Sequence, residues 1–242
     1  MTSGELWVVR SGVVPYGDAL RAQRALAAVR HARRVPDLVL LLEHPPVYTR
    51  GRRSTADELP MGEDWYRAQG IEISDTDRGG RVTYHGPGQL VGYPIVSLRP
   101  YGDDIHAYIR RMEHAMITAL GDWGVEAGLR EGLTGVWVAE RKIGSIGIHV
   151  SRAITTHGLA INVNNDLQPF EWIVPCGIEA CRMTSVSREL GAEQDIDAFA
   201  KMLAERFGQV YRRTLERVSP ARLVELVEGA GALAIPEPTP VP

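Results

Sequence analysis

Cysteine is scarce in this sequence, since only Cys176 and Cys181 occur among 242 residues. A secreted, disulfide-stabilised domain of this size would carry more, so we predict a reducing, cytoplasmic location. The seven histidines are scattered, and none has the H-E-x-x-H or C-x-x-C type of spacing that binds zinc. The sequence therefore predicts neither a structural disulfide nor a metal site.

Long hydrophobic runs and an excess of positive charge are also missing. The longest strongly apolar run is Leu38 to Leu42, and residues 1–7 hold no basic segment followed by an apolar stretch. Neither a membrane-spanning helix nor a secretion signal is predicted. The formal net charge is −3. This argues against nucleic acid as the main partner, because phosphate binding requires a basic surface.

The apolar pattern predicts one α+β domain, which we assign to residues 1–230. Amphipathic spacing indicates helices over 18–34, 105–123, 195–215 and 220–228. Short apolar or alternating runs predict strands over 5–14, 38–42, 82–84, 90–97, 134–139, 143–150 and 155–163, whereas 50–63 reads as a loop. Strands joined by short turns, with helices between strand groups, indicate a mixed, largely antiparallel sheet flanked by helices.

The end of the chain differs from this domain in composition. Residues 231–242 contain four prolines, at 236, 238, 240 and 242. Such a polyproline-like segment has no apolar face to bury, so it is predicted to be a disordered tail.

Three features could carry chemistry, and each also has a plain structural explanation. Residues 78–90 are rich in glycine, which suits either a set of turns or the wall of a binding cleft. Cys176 lies between Pro175 and Gly177, in a context typical of a constrained loop, although most cysteines simply pack. Lys142 is either functional or a surface lysine in a hairpin turn. Cys181 has no such context and is predicted to pack.

Five segments resemble, in the same order, the octanoyltransferases of lipoate biosynthesis, the lipoyl(octanoyl) transferase family. They are residues 42–52, 78–89, 142–147, 157–162 and 175–178. The R-G-G-x-x-T-Y-H-G-P-G-Q pattern of the second segment is the most specific, and its conjunction with the lysine and cysteine segments is more specific still. The resemblance extends over residues 5–215 and implies the fold shared by biotin and lipoate protein ligases.

The resemblance also implies a reaction and its partners. Octanoyl would move from the phosphopantetheine thioester of acyl carrier protein to a lysine of lipoyl-domain proteins, without ATP or metal. The acceptors would include the glycine cleavage H-protein and the acyltransferase subunits of 2-oxoacid dehydrogenases. Cys176 would form the acyl-thioester, with Lys142 as general acid and base. The acyl pocket would be lined by Arg78, Gly79, Gly80, Arg81, Val82, Thr83, Tyr84, His85, Ser145, Ile146, Gly147, Gly158, Leu159 and Ala160.

The chemistry of a cysteine–lysine pair fits this reaction. A free thiol, with a pKa of about 8.5, is only a few per cent thiolate near pH 7. A neighbouring ammonium stabilises the thiolate. In the second half-reaction the acceptor lysine must lose a proton, and Lys142 is the expected base.

An acidic carrier protein would need a local basic patch on a chain of net negative charge. The sequence predicts one at residues 50–53, which contain three arginines, with a second at Arg78 and Arg81.

Three alternatives stay open from the sequence. A lipoate- or biotin-protein ligase of the same fold would activate its acid with ATP and would need no nucleophilic cysteine. An octanoyl amidotransferase would take octanoyl from one lipoyl-domain protein and pass it to another. A non-catalytic module that binds lipoyl domains would carry no acyl group on Cys176.

Overall fold

The computed structural model describes residues 4–173 and 181–227. Cys176 and the proline-rich segment 231–242 lie outside the described residues. The strands are β1 (Glu5–Val13), β2 (Asp37–Glu43), β3 (Val47–Arg50), β4 (Glu72–Asp75), β5 (Thr83–His85), β6 (Gln89–Ile95), β7 (Gly128–Arg130), β8 (Leu133–Val138), β9 (Arg141–Ser151), β10 (Ile154–Asn162), β11 (Arg182–Met183) and β12 (Thr214–Arg217). The α-helices are α1 (Tyr16–His31), α2 (Glu63–Ala68), α3 (Ile105–Asp122), α4 (Val186–Leu190), α5 (Ile196–Tyr211) and α6 (Pro220–Val227).

These strands form one large and one small sheet. The large sheet has the order β12-β1-β2-β6-β10-β9-β8-β7, and β11 pairs with β9. Strand β1 is parallel to β2 and β12, and β11 is parallel to β9, whereas the remaining pairs of this sheet are antiparallel. The small sheet has the order β4-β3-β5. The predicted mixed, largely antiparallel sheet with flanking helices is confirmed.

Helices cover both faces of the large sheet. Helices α3 and α5 pack on one face, where Tyr108, Met112 and Phe199 are fully buried. Helix α1 packs on the other face through Leu26 and other apolar residues. Asp104 and Asp195 cap α3 and α5, since each carboxylate accepts a hydrogen bond from a first-turn backbone amide. Within residues 4–173 and 181–227, every helix is too short or too polar to span a bilayer.

Several predicted boundaries were wrong for identifiable reasons. Helix α1 begins at Tyr16 after Pro15, whose φ of −52° suits a helix start, so Asp18 lies in the first turn. Helix α5 ends at Tyr211 because Arg212 adopts a left-handed conformation with φ 52°. Residues 214–217 then form an edge strand instead of extending the helix.

The predicted loop 50–63 also has regular structure at its ends and within it. Arg50 ends strand β3, Ala56–Glu58 is a 3-10 helix and Glu63 begins α2. Strands β3, β4 and β7 were not predicted, because each has only three or four residues and β4 and β7 lack an alternating apolar pattern.

Candidate active site

A narrow cavity lies between the β9–β10 part of the large sheet, the start of α1 and the segment 78–85. Its free volume is about 70 Å³, room for a few water molecules. The lining residues come from five separate parts of the sequence. They are Tyr16, Arg78, Gly80, Arg81, Val82, Thr83, His85, Tyr93, Lys142, Ser145, Ile146, Gly147, His157, Gly158, Leu159 and Ala160. Twelve of the fourteen predicted pocket residues therefore meet around one space, together with Lys142.

One glycine lets the cavity walls come this close, and a second lets β10 approach β6. Gly147 and Gly158 are directly opposite each other on β9 and β10. A Cβ on Gly147 would lie 3.0 Å from the carbonyl oxygen of Gly79, and Gly79 donates a 2.9 Å backbone hydrogen bond to Ile148. A Cβ on Gly158 would collide with the carbonyl oxygen of Gly92 on β6. The interior glycine of this strand thus marks a close backbone approach.

Buried polar contacts hold segment 78–82 against the small sheet. The Arg78 guanidinium is buried and donates to the carbonyl oxygen of Thr49 at 2.6 Å and to its hydroxyl at 2.8 Å. The Glu58 carboxylate, also buried, accepts from Arg81 at 2.7 Å and from the backbone amide of Val82 at 3.1 Å. These bonds fix the cavity wall from behind.

Lys142 is buried, with 6% of its surface exposed. It lies at the start of β9, and its ammonium group is 5.4 Å from the centre of the Trp137 ring. Gly135, with φ 119°, leaves room for the lysine side chain, because a Cβ there would lie 2.7 Å from Lys142 Cε. The alternative of a surface lysine in a hairpin turn is therefore wrong.

The segment that follows residues 174–180 returns to this lysine. Cys181 is partly buried, and strand β11 runs parallel to the start of β9 with Met183 opposite Lys142. The Thr184 amide donates to the Lys142 carbonyl oxygen at 2.9 Å. Cys176 itself lies outside the described residues, so its pairing with Lys142 stays a prediction.

Two tyrosines and two histidines form a polar cluster at one end of the cavity. His44 Nδ1 lies 2.6 Å from the carbonyl oxygen of Val14, which can only accept, so this nitrogen carries the proton. His44 Nε2 then accepts from the Tyr93 hydroxyl at 2.7 Å. His85 lies 5.6 Å from His44 and stacks on Tyr16 at 6.3 Å. Burial lowers the pKa of His44 to about 4 and that of His85 to about 3, so both rings are neutral near pH 7.

His157 borders the same end of the cavity from β10. Its φ of 57° is in the left-handed region, which is unusual for a residue within a strand. The ring donates from Nε2 to the Asp77 carboxylate at 2.7 Å. Burial lowers the pKa of His157 to about 4 although Asp77 acts in the opposite direction. The unusual backbone angle occurs next to Gly158, where the strand approaches β6.

Two predicted pocket residues do not line the cavity. Gly79 contacts β9 through its backbone, and Tyr84 packs with Tyr48 and Phe170 in a separate cluster beneath the small sheet. Conversely, Tyr16, Tyr93 and His157 line it without having been predicted as site residues. Of these only His157 belongs to a family-like segment, so a search of that segment could have found it.

Most arginines of the predicted basic patches form ion pairs or hydrogen bonds within the protein. Arg50 forms ion pairs with Asp75 and Glu63, and Arg78 and Arg81 are held as described above. Arg52 and Arg53 remain exposed on a loop whose amides bond the carbonyl oxygens of Arg78 and Gly80. Within the described ranges, no group of three or more His, Cys, Asp or Glu side chains is placed to hold a metal ion.

Comparisons with known proteins agree on one family. Residues 15–208 match the model of the lipoyl protein ligase A/B catalytic domain. An octanoyltransferase of Solibacter usitatus is 47% identical over 200 residues, covering 83% of this chain and 90% of that protein. An octanoyltransferase of Acidothermus cellulolyticus is 45% identical over 221 residues, covering 89% and 93%.

Solved structures show the same fold at low identity. A lipoate-protein ligase A bound with ATP superposes with a TM-score of 0.72 at 18% identity and 94% coverage of both chains. A biotin protein ligase from Aquifex aeolicus gives 0.53 at 14% identity, covering 86% of this chain and 70% of that one.

Proposed function

Since this chain belongs to the octanoyltransferase family, and is therefore an acyltransferase of protein lipoylation, we propose that it moves octanoyl from acyl carrier protein to a lysine of a lipoyl-domain protein through an acyl-thioester on Cys176. The acceptors we propose are the glycine cleavage H-protein and the acyltransferase subunits of 2-oxoacid dehydrogenases. The family membership rests on the comparisons above. The donor, the intermediate and the acceptor are the proposal.

The observation that carries the proposal is the cavity between the β9–β10 hairpin and segment 78–85. It joins three distant glycine-containing segments, and a buried lysine stands at its border. Val82, Ile146, Leu159 and Ala160 are among the residues that line it, and apolar surroundings suit an acyl chain. The free space is smaller than an extended eight-carbon chain, so binding has to widen it.

Each half-reaction balances with the groups named. The Cys176 thiolate attacks the carbonyl carbon of the donor thioester, and the pantetheine thiolate leaves and takes up a proton. The ε-amine of the acceptor lysine then attacks the Cys176 thioester, the C–S bond breaks and an amide forms. Lys142 takes the proton that this amine releases.

One feature supports a shared location for Cys176 and Lys142. Met183, seven residues after the cysteine, pairs with Lys142 across β11 and β9. The chain therefore returns to the lysine directly after segment 174–180. The exposed Arg52 and Arg53, whose loop packs behind the cavity wall, are our proposed contact for the acidic donor.

An ATP-dependent ligase is the second candidate, and only the fold favours it. The lipoate-protein ligase A structure contains ATP, but at 18% identity it supports no more than a shared architecture. ATP-independent transfer by the purified chain would exclude it as the main activity.

Intact-mass spectrometry tests the intermediate. The wild-type chain is incubated with octanoyl-acyl carrier protein in the absence of ATP and acceptor, and we expect one octanoyl group to be added. Cys176→Ala should carry none and Cys181→Ala should carry it as the wild type does. A folded wild type that gains no mass would contradict the proposal and favour a non-catalytic lipoyl-domain module. Equal loss in both variants would overturn the assignment of the nucleophile.

A further inference from the structure

The Tyr16 hydroxyl is buried at the cavity and makes no hydrogen bond within the described residues. Burial raises the pKa of this hydroxyl and the nearby Thr76 hydroxyl lowers it, but the two hydroxyls do not reach hydrogen-bond geometry. An unsatisfied buried donor is costly. The group is therefore positioned to bond something that enters the cavity.

His85 supplies an acceptor beside this donor. Its Nδ1 lies 2.6 Å from the amide oxygen of Gln89, whose NH2 group donates to Asn162 and to the Tyr84 carbonyl. Nδ1 therefore carries the proton, and Nε2 keeps its lone pair. Within the described residues Nε2 has no hydrogen-bond partner, and the ring lines the cavity. We call Tyr16 and His85 together the polar floor.

The polar floor lies away from Lys142. The aromatic cluster that contains the floor reaches His157 on β10. His157 precedes Gly158, which lies opposite Gly147 on β9. Gly147 lies five positions beyond Lys142 along β9. Ala160, from the face toward α1, also lines the cavity, as do Ile146 and Leu159, whose side chains pack in the core under α3 and α5. With its carbonyl near Lys142, as the proposed function requires, an acyl group would direct its methyl end toward the floor.

We propose that the polar floor limits the length of the acyl chain. This inference rests on the proposed function. An acyl chain of suitable length ends before it reaches Tyr16 and His85, which then form hydrogen bonds with water. A longer chain displaces that water. The Tyr16 hydroxyl donor and the His85 imidazole acceptor then face methylene groups and have no hydrogen-bond partner. An acyl group with a hydroxyl on its last carbon satisfies both, because a hydroxyl can accept from Tyr16 and donate to His85.

The test compares Tyr16→Phe with the wild type on small pantetheine thioesters. The substitution keeps the aromatic ring and removes only the hydroxyl. We expect the rate of enzyme acylation with decanoyl, relative to octanoyl, to rise roughly tenfold. The rate with 8-hydroxyoctanoyl, relative to octanoyl, should fall by a similar factor. Tyr108→Phe is the matched control, since that ring is buried in α3 on the opposite face of the sheet and should change neither ratio.

The outcomes separate this inference from the function it rests on. If Tyr16→Phe is acylated and both ratios stay within twofold of the wild type, the polar floor does not set chain length. A general loss of rate with unchanged ratios would give Tyr16 a structural role only, and would also overturn the inference. If wild-type protein forms no adduct with any thioester, the proposed function fails, and the inference fails with it.

Discussion

The two faces of the large sheet are both buried, but by different kinds of residue. On the face under α3 and α5, side chains such as Met116 and Phe207 form a continuous apolar core. On the face toward α1, the part near β9 and β10 contains Lys142, His157 and a network around His44. Such buried polar groups cost stability unless they are bonded. The first face therefore stabilises the domain, whereas the second gives up some stability to place polar groups at the cavity.

The contrast is sharpest in the use of lysine. Only two of the 27 basic residues are lysines. Lys201 is exposed on α5, whereas Lys142 is buried on β9 beside the cavity. Arginine stays protonated at all ordinary pH values, but a lysine can give up its proton. A chain that otherwise prefers arginine has a lysine where the proposed mechanism requires a base.

Lys142→Arg should have the largest effect on activity. The guanidinium keeps the positive charge but cannot accept a proton near neutral pH. We expect transfer to the acceptor lysine to slow by about 10²- to 10⁴-fold, with a smaller effect on acylation of the enzyme. Single-turnover measurements resolve the two steps, and Lys201→Arg serves as the control. Unchanged rates for both steps would leave Lys142 as a structural residue.

The two faces also differ in how they respond to pH. The pKa values of His44, His85 and His157 are lowered to about 4, 3 and 4, from 6.5 in an unfolded chain. Between pH 6.5 and 4 the unfolded chain therefore binds protons that the native protein does not, so stability falls as pH falls. At pH 5 each histidine should cost about 2 kcal/mol relative to pH 7.

Urea unfolding at pH 7, 6 and 5 measures this loss. His85→Gln should reduce the pH dependence of the free energy of unfolding by the amount that one buried histidine contributes. His106 is exposed on α3, so His106→Gln should leave this pH dependence unchanged. A free energy of unfolding that is flat over this range would mean that the three rings are not buried as neutral groups.

The same contrast explains which parts of the structure could be predicted from the sequence. The apolar face follows simple periodicity, so α3 and most strands of the large sheet were predicted within a few residues. The segments around the cavity were found through their resemblance to a family, because glycine-rich stretches have no apolar period. Tyr16 and Tyr93 had no local signal at all. They reach the cavity only because α1 and β6 are packed against β10, which is a tertiary contact.

A pair of glycine substitutions gives the smallest expected effects and the most direct comparison of the two faces. A Cβ at Gly158 would collide with backbone of β6, which cannot move without disturbing the sheet, so Gly158→Ala should destabilise the protein by about 1–3 kcal/mol. Gly121, near the end of α3, has no atom within 4 Å of such a Cβ. Gly121→Ala should therefore stabilise the helix by up to about 1 kcal/mol. Urea unfolding at pH 7 gives both values. Equal and small changes would mean that the close approach of β10 to β6 relaxes easily, and that glycine there serves the cavity rather than the packing.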